Sequence, residues 1–417
     1  MVFDLFDLPQ KYYDLKLAII YTFVVMKNNL FDTSSRIVIT CPKKITPYLR
    51  KELEDLSFPI DSESMMSIET HGTLSDCMKL NLHLKTATRV LYHIKSFPAK
   101  DPNDLYTEVK KIPWEEYVEE DGYISVVSHS DNPEINDSRF PNLKCKDAIV
   151  DRLMELKGRR PDSGPDKNKA VLYLYWKDNE GSMYIDSSGE IIAKHGYRKI
   201  PFKAPLQESL ASAIIMASKW DKNSHFINPM CGSGTLAIEA ALIAQGRAPG
   251  LLRSNFAFMH IKGFPSEAWE MMRREARLSS RKELSFKIIA SDMDEEAISV
   301  SKKNAATAGV DHLIDFIVCD FKETPVPEGS GVVVLNPEYG ERLGEEEELE
   351  GTYKAIGDFF KTNCKGYTGY IFTGNMNLAK KIGLKAKRKI EFYNSKIECR
   401  LMEYELYAGS RRVVVSE

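Results

Sequence analysis

No C-x-x-C pair and no Cys/His cluster occurs in this chain; its seven cysteines (Cys41, Cys77, Cys145, Cys231, Cys319, Cys364, Cys399) are scattered. That spacing argues against a disulfide framework and against a zinc site, so no metal is expected and a reducing cytoplasm is the simple reading. Nor is there an apolar run of the roughly 20 residues that a membrane-spanning helix needs. The nearest stretch, Leu15 to Met26 (LKLAIIYTFVVM), falls short, and no small-residue cleavage site follows it. It reads as an extra strand or helix, or as an extension upstream of a start at Met26, and no membrane partner is expected. Charge of one sign is lacking as well: 57 basic against 60 acidic side chains leave a net −3. The sum neither favours nor opposes nucleic acid, because binding depends on where cations cluster. What remains is ordinary globular composition, 43% apolar and 28% charged, in 417 residues, enough for two or three domains.

The chain is organised around His225 to Ala244, HFINPMCGSGTLAIEAALIA. An apolar strand runs into a glycine turn (Gly232, Gly234), and the turn opens an Ala/Leu/Ile-rich helix. Glycines there let the backbone turn tightly, so that amide groups and the helix N-terminus can face a ligand. Gly232, Gly234 and Ala237 satisfy G-x-G-x-x-[GA], a pattern that fits a dinucleotide as well as an adenosyl ligand. The turn has no Gly-Lys-Ser/Thr, which excludes a P-loop. Cys231, inside it, reads as small buried packing.

Before this turn, Arg36 to Cys41 reads as strand and Pro42 to Leu56 as helix, and the alternation continues to Ile94, giving a small α+β unit over 36–98. A helix capped by Asp101 with Pro102 in its first turn follows. The most basic stretch comes next. Lys144, Lys146 and Arg152 lie on a predicted helix, Lys144 to Lys157, with Ala148, Ile149 and Leu153 as its buried stripe, and Arg159 and Arg160 stand at its end. Such a run is usually a solvated helix face; several cations on one surface also suit phosphates, which makes these five the candidate contacts to a phosphate backbone. After the glycine turn, a long excursion with a helix around Trp269 leads to the strand Phe286 to Ser291. Strands and helices then alternate, and two last strands without a helix between them form a hairpin. The expected fold is α/β: a doubly wound, mostly parallel seven-stranded sheet with an antiparallel end, preceded by an α+β region.

In such a sheet, ligands bind beyond the carboxyl ends of the strands, where the strand order reverses. Asp292 ends the second strand and can accept both hydroxyls of a ribose, or serve as a helix cap with Asp294. Asp320 and Phe321 follow the third, offering a carboxylate for an adenine amino group and a ring for the base, or merely a turn with a core Phe. The fourth ends in Asn336-Pro337-Glu338-Tyr339-Gly340. A ring-bound amino group is a poor nucleophile because its lone pair is delocalised. If the Asn336 side-chain oxygen and the Pro337 carbonyl accept its two hydrogens, the lone pair is steered toward an electrophile held by the glycine turn. Tyr339 would stack on the base, which must be flipped or unpaired to enter.

These segments resemble the THUMP-containing, Rossmann-like S-adenosylmethionine-dependent RNA methyltransferases, most closely the bacterial 23S rRNA guanine-N(2) methyltransferases. The likeness spans roughly 36 to 410: KCKDAIVDRL with GRRP, HGYRKIPFKAPLQESLASAII, NPMCGSGTLAIEAA, SDMDEEAI with KNAATAGV, NPEYGERLG, FTGNMNLAKKIGL and YNSKIECRL. It implies S-adenosylmethionine as cofactor, with ligand roles on Asn228, Gly232, Gly234, Asp292 and Asp320. Their neighbours Met230, Thr235, Met293 and Phe321, and Asn336, complete that set. Amino-group positioning falls on Asn336 and Pro337, and base stacking on Tyr339. The implied domains are an N-terminal extension (1–35), a ferredoxin-like unit (36–98), a THUMP RNA-binding domain (99–190) and a methyltransferase domain (191–417). The partner is RNA, 23S rRNA or an assembly intermediate, with tRNA as the alternative. One departure stands out: the family usually has Pro-Pro after the Asn, and Glu338 takes the second place. Glutamate frees the backbone and adds charge near a sulfonium centre, so it either points to solvent or weakens turnover, leaving an RNA-binding homologue. A nucleotide-dependent dehydrogenase would also use Gly232 and Gly234, but Asp292 lies far beyond the roughly 20-residue spacing of that fingerprint.

Overall fold

The computed structural model describes residues 29–119, 122–131, 139–200, 205–340 and 345–407. The stretch Leu15 to Met26 lies outside them, as do most of the 1–35 extension and Glu341 to Gly344 of the segment NPEYGERLG. The first half builds one sheet of eight strands: β1 (Ser35–Thr40), β2 (Ser62–Glu63), β3 (Ser67–Gly72), β4 (Arg89–Pro98), β5 (Tyr123–Asp131), β6 (Asp162–Ser163), β7 (Ala170–Lys177) and β8 (Glu180–Asp186). Their order is β2-β3-β1-β4-β8-β7-β5-β6. The strand β4 explains why 36–98 and 99–190 form one sheet. It is ten residues long and pairs antiparallel with β1 on one side and β8 on the other, so neither unit keeps a free edge there. Alternation sets the faces: Ile37 and Ile39 of β1 are fully buried, Arg36 and Val38 less so.

Four helices accompany this sheet: α1 (Thr46–Asp55), α2 (Leu74–His83), α3 (Pro102–Lys110) and α4 (Phe140–Lys157). The helix α2 begins with a capping box between Thr73 and Asp76, and Asp101 caps α3 as expected, accepting from the Asn103 and Asp104 amides. Gly158, in the left-handed region, ends α4.

The second half is a seven-stranded sheet of β9 (His225–Pro229), β10 (Ile288–Asp292), β11 (Ile314–Val318), β12 (Gly331–Leu335), β13 (Thr368–Thr373), β14 (Arg388–Asn394) and β15 (Ile397–Glu405). The order is β11-β10-β9-β12-β13-β15-β14; the first five are parallel and β15 runs antiparallel between β13 and β14. Its helices are α5 (Glu208–Ala217), α6 (Thr235–Gln245), α7 (Ser266–Leu278), α8 (Glu295–Ala308), α9 (Glu345–Asn363) and α10 (Met376–Lys381). Helices cover both faces, so a central strand such as β12 reads as an unbroken apolar run, Val332 to Leu335, and all four are buried. The order reverses between β9 and β12, which puts the turn after β9 beside the turn after β12.

His195, 1% exposed, links the halves. Its Nδ1 lies 2.8 Å from Glu239 Oε1 on α6 and its Nε2 3.0 Å from the Lys85 carbonyl between α2 and β4. Ser212 of α5 donates to the other Glu239 oxygen at 2.7 Å.

Candidate active site

Past β9 the backbone turns through left-handed φ angles at Met230 (55°), Gly232 (55°) and Gly234 (80°). The two glycines are needed for different reasons. A Cβ on Gly234 would lie 2.6 Å from Ser301 Oγ, because α8 packs against the turn there, whereas a Cβ on Gly232 would meet nothing within 4 Å. Gly232 therefore borders open space. Asp292 braces the turn: one carboxylate oxygen accepts from the Gly232 amide at 2.9 Å and the other from the Asp294 amide at 3.0 Å. Each oxygen keeps a further acceptor site. Met293 next to it is 75% exposed. Burial pushes the Cys231 thiol up to about 12, so it stays protonated, as packing requires.

Three of the expected cofactor contacts also have partners within the fold. Phe321 is buried and meets Phe359 edge-on at 6.2 Å, so its ring packs into the core. The Thr235 hydroxyl is buried and accepts from Arg198 at 2.9 Å, holding the residues before α5 to the start of α6. Asn228, 1% exposed, donates from Nδ2 to the Val334 carbonyl at 2.9 Å and so ties β9 to β12, while its Oδ1 is buried without a partner among the described residues. Asp320 stands at the end of β11, where one oxygen caps the following turn through the Lys322 amide.

After β12, the side-chain oxygen of Asn336 is buried and has no hydrogen-bond partner among the described residues. Leaving such an acceptor unmatched costs on the order of 1–3 kcal/mol, and Asn228 Oδ1, on the neighbouring strand β9, is unmatched likewise. Pro337 is buried, Glu338 exposed. Neighbouring elements hold the rest of the loop. Tyr353 of α9 donates to the Glu338 carbonyl at 3.2 Å, Asn375 before α10 donates to the Tyr339 carbonyl at 3.4 Å, and Asn394 of β14 donates to the Tyr339 hydroxyl at 3.0 Å. No roles were assigned to these three from sequence, although FTGNMN and YNSKIECRL contain two of them.

The five basic residues separate. Arg159 and Arg160 are exposed at the end of α4. Lys144 lies 5.9 Å from the ring centroids of both Tyr106 and Phe140, and Lys146 pairs with Asp147 at 3.0 Å. Arg152 makes two bonds to Glu115, at 2.8 and 2.7 Å, and a third to the Lys110 carbonyl, so it ties α4 to α3 and leaves the surface set. Among the described residues no cluster of His, Cys, Asp or Glu could hold a metal ion, and no helix is long and apolar enough to cross a membrane.

Residues 195–403, which contain both turns, match the family model of the RMKL-like methyltransferase domain. The chain belongs to that family. Residues 36–91 match the RlmL ferredoxin-like domain and 99–186 the THUMP domain. A ribosomal RNA large subunit methyltransferase K/L of Syntrophotalea carbinolica is 36% identical over 387 residues, 90% of this chain and 54% of that protein. A Synechocystis protein named as an RNA methyltransferase is 33% identical over 79% of this chain and 86% of its own. The chain spans about half the length of the K/L relatives it matches. Among solved structures, a methyltransferase complexed with SAH superposes with a TM-score of 0.81 at 26% identity, covering 90% of this chain and 99% of that one. The fold is the Rossmann-like methyltransferase fold preceded by ferredoxin-like and THUMP units.

Proposed function

We propose that this protein uses S-adenosylmethionine to methylate the exocyclic 2-amino group of a guanine in 23S rRNA. The observation that carries the reading is the buried, unmatched Asn336 oxygen at the tip of β12, beside the glycine turn of the adjacent strand β9.

The residues present fit the cofactor. Gly232 borders open space, Asp292 ends the neighbouring strand with acceptor capacity for a ribose, and the exposed Met293 supplies an apolar surface for an adenine face. When bound, S-adenosylmethionine supplies a methyl carbon made electrophilic by its sulfonium. Asn336 Oδ1 and the Pro337 carbonyl accept the two amino hydrogens, which holds the guanine nitrogen with its lone pair directed out of the ring plane. No strong base is required, because the nitrogen becomes acidic only after it is alkylated. Tyr339 stacks on the extruded base. The exposed Arg159 and Arg160, with the half-buried Lys144 and Lys146, supply the cations for the RNA backbone. Exposure of Glu338, with its carbonyl held by Tyr353, supports an active loop over a disabled one: hydrogen bonds from α9 and α10 provide the rigidity that the missing proline would.

Incubation with methyl-labelled S-adenosylmethionine, unmodified 23S rRNA and unmodified tRNA tests this directly. Incorporation as N2-methylguanine in 23S rRNA is expected. Incorporation in tRNA alone would move the substrate to tRNA, and cofactor binding without incorporation would favour an RNA-binding homologue.

A further inference from the structure

The strand β14 is gripped from behind by the N-terminal half of the molecule. Glu391 pairs with Lys44 at 2.9 Å, Phe392 stacks on Tyr48 with centroids 5.7 Å apart, and Tyr393 lies under Lys43 with Nζ 4.1 Å from its centroid. Lys43 and Lys44 belong to the turn between β1 and α1, and Tyr48 to the first turn of α1. Successive side chains of a strand point to opposite faces, so β14 is held on both. The next residue is Asn394, whose Nδ2 donates to the Tyr339 hydroxyl. Asn394 pairs with Ile397 across a two-residue turn in which Ser395 has φ 57°, so the hairpin tip is tight.

Tyr339 is thus fixed at several points. Asn375 holds its carbonyl, Asn394 holds its hydroxyl, and Gly374 lies beneath its ring, where a Cβ would come within 3.1 Å of a ring carbon. The hydroxyl oxygen lies on the axis of the second side-chain torsion, so its bond to Asn394 fixes the first torsion and with it where the ring lies, while the close approach of Gly374 to the ring carbons restrains the second. We propose that Asn394 is a positioning residue for Tyr339, and that Lys43, Lys44 and Tyr48 set its place. The position of the ring that receives the purine is then coupled to the N-terminal half of the molecule, which carries the candidate RNA contacts. This rests on the reading of Tyr339 as the stacking residue.

The test labels the full chain with 3-fluorotyrosine and assigns the Tyr339 resonance as the one lost in Tyr339→Phe. In Asn394→Ala that resonance moves or broadens. It moves the same way, by less, in the Lys43→Ala/Lys44→Ala double variant, which removes only partly exposed surface contacts and leaves the core alone. In methyl transfer, Asn394→Ala and Tyr339→Phe each lower kcat by up to roughly tenfold, the scale of one hydrogen bond. The affinity for S-adenosylhomocysteine is unchanged, and the combined variant loses no more than either alone. A Tyr339 resonance that stays in place in both the Asn394 and the Lys43/Lys44 variants overturns the inference, as do losses that multiply. If the unaltered protein transfers no methyl to rRNA, the functional reading fails, while the fluorine resonance still decides this one.

Discussion

The side-chain oxygen of Asn336 stands buried at the tip of β12 without a partner among the described residues, which is why the proposed role falls on it. Asn336→Ala is expected to cut methyl transfer by about 100-fold or more, as for loss of a transition-state hydrogen bond, with cofactor affinity near normal. Titration calorimetry beside single-turnover transfer checks this; equal loss of both would remove the residue from its role. Glu338→Pro should keep or raise activity, since the side chain points to solvent and its carbonyl is already held by Tyr353. A clear loss in initial rate would give the glutamate an active part. At this scale the sequence was legible in placement: Asn336 and Pro337 stand at the tip of β12 as their pattern suggests. It was less legible where one residue type serves packing and binding equally. Phe321 and Thr235 follow strand ends as ligand residues do, yet one fills the core and the other receives Arg198, because what decides is the neighbour across space.

Between elements, the glycine turn separates two jobs that the motif alone merges. Gly232→Ala should weaken cofactor binding severalfold. Its left-handed backbone strain should cost only about 1–2 kcal/mol, since the added methyl meets no protein atom and enters the open side of the turn. Gly234→Ala should instead lower stability further, because its Cβ would press on Ser301 Oγ of α8. Urea unfolding midpoints compared with cofactor affinities distinguish the two, and identical behaviour would contradict this division. The alternation of strands and helices, the hairpin at the end and the caps at Asp101 and Asp294 were legible, since each depends on local pattern or local hydrogen bonds. The single eight-stranded sheet was not. It depends on β4 extending to Pro98 and pairing with β8, some ninety residues downstream, a partner that local periodicity does not specify.

For the molecule as a whole, the buried clasp of His195, Glu239 and the Lys85 carbonyl ties the N-terminal half to the helix behind the glycine turn. Burial opposes protonation of His195, but the charge and hydrogen bond of Glu239, helped by Glu208 and the Lys85 carbonyl, outweigh it and raise its pKa above 6.5. A raised folded-state pKa means that the contribution to stability is fully present below the unfolded value and is lost as pH rises through the folded one. Urea midpoints should therefore decline as pH rises through that higher value. The decline attributable to this group should vanish in His195→Gln; an unchanged pH slope would show that the clasp carries no proton-linked stability.

The central claim is that two neighbouring strand tips bring a methyl donor and an extruded guanine together, with Asn336 aiming the nitrogen. Mass-spectrometric mapping of 23S rRNA from cells lacking the protein, restored with it, or restored with Asn336→Ala tests that claim most directly. One N2-methylguanosine should be absent without the protein, return with it and stay absent with the variant. An rRNA modification pattern identical in all three would contradict it.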